Sequence, residues 1–366
     1  MVGPDHRGSD RRTSRLAALA DRLVAAGAPG AAVVVLDADG IDEAASGVAD
    51  RESGRSMQPF LHFRAGSVTK TFVATLVMSL VAERKLALPD TIEHCLPGVL
   101  PYAQEATIRQ LLNHTSGIPN NSDVLSNIWH GSSGDRFRRR TPHELVSMVV
   151  DRQPVAPPGS TWSYSNVGYV ILGLIIEAAT DSTLESELAR AIFEPLKLVD
   201  STFPVDTVGL PDPSSKGYSY PISSQPLTVD SQLVDYTLQH PSMTWAAGAI
   251  ISSLPDVCRF LRMLLGGRLL PERLVGEMLT TVDVPAEALP LPLFQRNGLG
   301  LIELDSPHGA LLGSAGGIPG FFNMVISSPD ARRQGGMMIN VGERVPEPIV
   351  ASFLDGLREL ASIVGS

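Results

Sequence analysis

Two short constellations carry side chains able to act together on a carbonyl group. Ser67-Val68-Thr69-Lys70 sets a hydroxyl and an amine three residues apart, and on a helix the positions i and i+3 share one face. A serine hydroxyl attacks poorly until a neighbour takes its proton, and a lysine stripped of water loses enough of its charge to be that neighbour. A helix start adds partial positive charge where negative charge develops. Taken alone, the spacing also describes an N-capping serine followed by a surface lysine. Downstream, Tyr164 and Asn166 in the stretch Pro-Gly-Ser-Thr-Trp-Ser-Tyr-Ser-Asn are two residues apart, so an extended backbone presents both to one side. Tyr164 could shuttle a proton between Ser67 and a leaving group, and Asn166 could hold Lys70 and a substrate amide carbonyl. By itself the tripeptide also fits a partly buried tyrosine in a turn.

The elements that must position these groups are legible in outline. A helical apolar pattern near residues 16–24 precedes a β-branched run at 31–37, the turn Asp39-Gly40 and a partner strand at 41–48, which is a hairpin signal. Ser67 falls where a long helical stretch begins. Residues 89–241 are rich in proline, glycine, serine and asparagine, with helical patterns at 107–112, 143–151 and 168–179. A helix is expected at 254–265, strands at 298–304, 310–313, 321–327 and 335–341, and a last amphipathic helix at 348–364. Strands at both ends of the chain with helices between them predict an α+β fold: one antiparallel sheet built from both chain ends and flanked by helices. The expected division is a discontinuous sheet domain at 13–88 and 242–366 and an all-helical insert at 89–241 that carries Tyr164, with the active cleft between them.

Together these segments resemble the serine β-lactamase-related family, which includes class C β-lactamases, D,D-peptidases, D-aminopeptidases, esterases and transacylases. Supporting stretches are Phe63-Arg64-Ala65-Gly66 before Ser67, Thr107 through His114-Thr115-Ser116-Gly117, and Asn166-Val167-Gly168-Tyr169. The resemblance implies a β-lactamase/transpeptidase-like fold and assigns Ser67 as nucleophile with Lys70 and Tyr164 managing the proton. The family's third element is Lys or His, a small residue, then Gly, and here it aligns with Ser314, Ala315 and Gly316, followed by Gly317. Serine thus stands where relatives carry a cation that helps hold a substrate carboxylate. By family analogy the backbone N–H groups of Ser67 and Gly317 form the oxyanion hole, and Asn166, Ser314, Ala315 and Gly316 line the substrate site. Trp245, Phe322 and Arg138 are candidate pocket residues. Arg138 belongs with Arg136, Arg139 and Arg140 to a basic loop suited to a phosphate or carboxylate, although a solvated loop fits that composition as well. His114, in a family-like turn, reads as structural.

Composition sets bounds on the rest. The chain has 366 residues, enough for a sizeable core, and a formal charge of -10, which repels nucleic acid and anionic membrane. The expected partners are therefore small molecules: an ester or amide acyl donor, and an amine, alcohol or water acceptor. Cys95 and Cys258 stand apart from any Cys/His cluster and read as free thiols, without a metal or other cofactor. No apolar run reaches the roughly 20 residues that a membrane span needs, and the polar opening stretch at residues 1–12 has no signal-peptide core, so a cytoplasmic protein is expected. Gly-x-Ser-x-Gly, His-Glu-x-x-His and phosphate-loop patterns are missing. The resulting expectation is an acyl-enzyme on Ser67, in an intracellular esterase or in a transacylase of secondary metabolism that exchanges an ester for an amide. Alternatives are a D,D-peptidase, D-aminopeptidase or class C-like β-lactamase, and a catalytically silent binding homologue.

Overall fold

A period of two in the first strand decides how the layers stack. In β1 (Gly30–Leu36) Ala31, Val33 and Val35 enter one apolar core while Ala32 and Val34 enter another, because successive side chains of a strand face opposite ways. The computed structural model describes residues 6–131, 134–221, 227–288 and 294–366; the first five residues of the polar opening stretch lie outside them. The strands are, in chain order after β1, β2 (Ile41–Gly47), β3 (Phe63–Arg64), β4 (Tyr218–Ser219), β5 (Val234–Asp235), β6 (Ile251–Ser252), β7 (Val282–Asp283), β8 (Arg296–Asn297), β9 (Ile302–Leu304), β10 (Leu311–Ile318), β11 (Phe321–Ser327) and β12 (Gln334–Ile339). Eight of them form one antiparallel sheet in the order β2-β1-β12-β11-β10-β9-β8-β7. Val33 of β1 lies opposite Met337 of β12, so the two chain ends close the sheet together, as the strand pattern predicts.

Helices cover both faces. His6–Ala25 and Glu347–Gly365 bring Leu16, Leu19, Leu23, Phe353 and Leu360 onto Val33, Met324, Met337 and Ile339. On the other face Leu254–Leu265 packs Leu254, Cys258 and Leu261 against Ala32, Val34, Val325 and Met338. Thr69–Ala82 runs through the middle of the molecule and is buried nearly all round, with Phe72 stacked on Phe260 at 3.6 Å between ring centroids. Asn166–Thr180 is likewise buried, from Val167 through Ile176. Among the described residues no single helix is long and apolar enough to cross a membrane.

Several boundaries differ from the expected ones for physical reasons. The strand expected at 298–304 is broken, because Gly300 reverses the chain at φ +78 and a Cβ there would sit 2.2 Å from the Cβ of Ala74. β10 continues to Ile318, beyond the expected end at 313. The helix expected at 143–151 stops at Ser147. The helical region also holds the β4–β5 ribbon, whose Tyr218 bridges to Val341 at the end of the main sheet.

Candidate active site

Ser67 sits in a single 3-10 turn, Gly66–Val68, immediately before the buried helix Thr69–Ala82. Gly66 is at φ +55, and a Cβ on it would lie 3.0 Å from Gly317 O and 3.1 Å from Gly317 N; glycine lets the turn lean on the strand without a side-chain clash. Asn323 on β11, 2% exposed, donates from its amide to Ala65 O at 3.2 Å and to Gly316 O at 3.1 Å. One side chain thus ties the serine turn to β10. The β9 pairing of β10 runs from Leu311 to Gly313 among the described residues, and past it Ser314, Ala315 and Gly317 line the cleft.

Lys70, 4% exposed, directs Nζ at three oxygens: Ser67 Oγ at 3.0 Å, Asn166 Oδ1 at 2.9 Å and Ala247 O at 2.7 Å. Burial holds its amine well below the ordinary lysine range because the charged form loses water and gains no carboxylate. A neutral amine has two N–H bonds and one lone pair. Asn166 Oδ1 and Ala247 O can accept only, so they take the two N–H bonds and the lone pair is left for the Ser67 hydroxyl. Tyr164 OH is 2.7 Å from Ser67 Oγ. Burial pushes its phenol up to about 12, against the smaller opposing effect of the Ser67 bond, so it enters the reaction protonated.

His114 positions the tyrosine. Its backbone adopts φ +62, its carbonyl accepts from Ser163 N at 2.8 Å, and its Nδ1 accepts from Ser165 N at 3.2 Å, so both neighbours of Tyr164 are held. The imidazole lies 4.6 Å from the Tyr164 ring and is kept neutral, its pKa lowered to about 3 by burial and then by Lys70. Ser165 caps the helix that begins at Asn166 by accepting from Gly168 N. This cap makes an extended Tyr-Ser-Asn segment turn abruptly into a helix, which aims Tyr164 and Asn166 at Lys70 from one side.

The cleft has two limbs that meet at Ser67, Tyr164 and Gly317. The larger, about 730 Å³, is walled by Trp162, Phe294, Ile302, Ser314, Ala315 and Phe322. The smaller, about 180 Å³, lies among Trp129, Asn166, Thr244, Ile318, Pro319 and Glu343. Ser67, Lys70, Tyr164, Asn166, Gly317, Ser314, Ala315 and Phe322 are thus brought together as the motifs suggest, while Gly316 is covered: a Cβ there would lie 1.9 Å from Ala65 O. Ser314 is 6% exposed and its hydroxyl is engaged with Thr71 Oγ1 at 2.8 Å. Among the described residues, no arginine lines either limb and Lys70 is the only lysine that does.

Two expected pocket residues are elsewhere. Trp245 lines neither limb among the described residues; at φ +40 it turns its ring into the notch left by Gly173, where a Cβ would lie 2.7 Å from the ring. That seat anchors the 3-10 turn Trp245–Ala247, whose last carbonyl accepts from Lys70. Arg138 is exposed and paired with Glu144. Its neighbours are dispersed too: Arg139 pairs with Asp206, Arg136 stacks on Tyr236, and Arg140 is buried on the carbonyls of Asp135 and Arg138. The basic loop therefore offers no joint anion site. Sequence reasoning missed Asn323, Ala247 and Glu343. Asn323 alone left a signal, as a polar residue inside the apolar run Phe-Phe-Asn-Met-Val-Ile.

The fold is of the β-lactamase/transpeptidase type. The Beta-lactamase family model matches residues 16–357, and the chain belongs to that family. It is 31% identical over 249 residues to penicillin-binding protein 4 of Amycolatopsis lactamdurans, covering 67% of this chain and 61% of that protein. It is 35% identical over 176 residues to esterase EstB of Burkholderia gladioli, covering 43% of each. The chain spans less than two thirds of the length of these curated relatives. Among solved structures, a D-stereospecific amidohydrolase from Streptomyces sp. superposes with a TM-score of 0.80 at 31% identity, over 95% of this chain and 98% of that one.

Proposed function

We propose that the protein is a serine acyl-transfer enzyme that takes esters or amides without a carboxylate beside the scissile bond. It forms an acyl-enzyme on Ser67 and passes the acyl group to water or an amine. The observation that carries this reading is the placement of Lys70, whose two fixed acceptors leave its lone pair for Ser67. The Ser67 proton passes to Lys70 as Oγ bonds to the carbonyl carbon, and the oxyanion is held by the N–H groups of Ser67 and Gly317. On collapse the leaving nitrogen or oxygen takes the proton of Tyr164. The ammonium formed on Lys70, 4.9 Å from the Tyr164 ring, stabilises the transient phenolate. Water or an amine then enters, and the same groups run in reverse.

The engaged Ser314 hydroxyl and the scarcity of cations along the larger limb argue for uncharged leaving groups over those of penicillins or peptides ending in a carboxylate. An esterase or transacylase fits this, and likeness to EstB supports the ester half. An amidase reading is favoured by the near full-length match to the amidohydrolase. Release of a chromogenic leaving group from a short ester and from an anilide, by wild-type and Ser67→Ala protein and with or without added amine, tests the proposal. Ser67-dependent release is expected with both, and the product mass reports transfer or hydrolysis. Equal release by the Ser67→Ala protein contradicts the mechanism.

A further inference from the structure

The smaller limb holds a carboxylate that the acyl-transfer chemistry does not use. Glu343 follows β12 at φ +64, a left-handed conformation that a non-glycine residue adopts only where its surroundings impose it. It is fixed there because Gly342 is pressed onto the turn between β10 and β11: a Cβ at Gly342 would lie 2.2 Å from Phe321 O and 2.4 Å from Ile318 O. Glu343 Oε2 lies 2.8 Å from His130 Nε2, and His130 Nδ1 lies 2.7 Å from Tyr236 OH. His130 is wholly covered, whereas the Glu343 side chain keeps 22% of its surface open. One proton arrangement satisfies the chain: Tyr236 donates to Nδ1 and Nε2–H donates to the carboxylate. It leaves Oε1 of Glu343 for the cavity, since Glu343 makes no other ion pair among the described residues.

Trp129, beside His130 on the Ser122–His130 helix, forms another wall of this limb. A carboxylate, an indole and about 180 Å³ of space suit a compact cation, which gains both ion pairing and attraction to the aromatic face. Asn166, which faces the same limb, has one amide N–H on Ser122 Oγ at 3.3 Å and a second left for a substrate carbonyl. We infer that Glu343, oriented by His130 and Tyr236, is a specificity residue that receives a primary ammonium group on the acyl half of the substrate, so that the preferred donors are amides or esters of amino acids with a free amine. This rests on the acyl-transfer reading above and narrows it.

Binding and turnover test it separately. In Ser67→Ala protein, calorimetric titration with phenylalanine amide and with N-acetylphenylalanine amide, each as both stereoisomers, reads recognition without chemistry. At least about tenfold tighter binding of the free amine is expected for one stereoisomer. Glu343→Gln in the same background should bring the ratio near one, and Tyr236→Phe should lower it in part. Equal affinities of the free and acetylated amides, or a ratio unchanged by Glu343→Gln, overturns the assignment. In the active enzyme the kcat/KM ratio for the matching p-nitroanilides should follow the binding ratio. A binding preference without turnover of either anilide would count against the acyl-transfer reading and uphold Glu343, whereas turnover indifferent to acetylation would do the reverse.

Discussion

At the scale of single residues, the site works through opposed proton affinities. Lys70 is buried without a carboxylate, so its amine sheds its proton readily; Tyr164 is enclosed and keeps its proton up to about 12. The base and the acid are therefore set by environment. The sign of the pH dependence follows. Lowering the pH through the depressed Lys70 value protonates the base and should reduce kcat/KM, while Tyr164 imposes no downturn until the pH approaches about 12. Tyr164→Phe removes the acid and should cost about 10²–10⁴-fold in kcat. A pH–rate profile of the wild type beside that of Tyr164→Phe checks both; a rate that falls as Lys70 becomes neutral would contradict the assignment. These residues were legible because their chemistry is written in type and spacing. Glu343 was not, because its meaning depends on Tyr236 and on His130, which lies 213 positions before it in the chain.

At the scale of elements, small residues place the reactive atoms. Gly173 on the Asn166–Thr180 helix receives Trp245, and that contact sets the turn whose Ala247 carbonyl holds Lys70. Gly173→Ala would bring a methyl to 2.7 Å from Trp245 and Ala246, so the turn must move. We expect kcat to fall by about 10–100-fold with a smaller change in KM, because displacements near 1 Å at a base are costly. Steady-state kinetics beside a circular-dichroism melt separates this from unfolding; unchanged kcat would show that the turn does not set Lys70. The strand order and most helices were predictable from period and turn residues. Trp245 was misplaced because a large aromatic residue after a loop looks like a pocket wall, and only the notch left by a distant glycine shows otherwise.

At the scale of the whole molecule, a wall of the cleft is braced by an element outside the cleft. The C-terminal helix Glu347–Gly365 supplies Phe353, 1% exposed, which packs at 4.6 Å on Phe322, a wall of the larger limb. Phe353→Ala should cost about 3–5 kcal/mol in stability and loosen that wall, seen as a lower denaturant midpoint and a raised KM for bulky leaving groups. A loss below about 1 kcal/mol would mean that the Phe353–Phe322 contact does not brace that wall. The pairing of β1 with β12 was readable in the β-branched and apolar runs at both ends of the sequence. The division of the cleft into unequal limbs was not, since it arises from loops of low periodicity between them.

The central claim is a covalent intermediate on Ser67, and the most direct measurement is the intact mass of the protein during turnover of a slowly hydrolysed ester, followed by peptide mapping. The account predicts a mass increase equal to the acyl group, located on the peptide containing Ser67, absent in Ser67→Ala and shortened in lifetime by an added amine if transfer competes with hydrolysis. Turnover with no adduct at Ser67, or an adduct that survives Ser67→Ala, would contradict it.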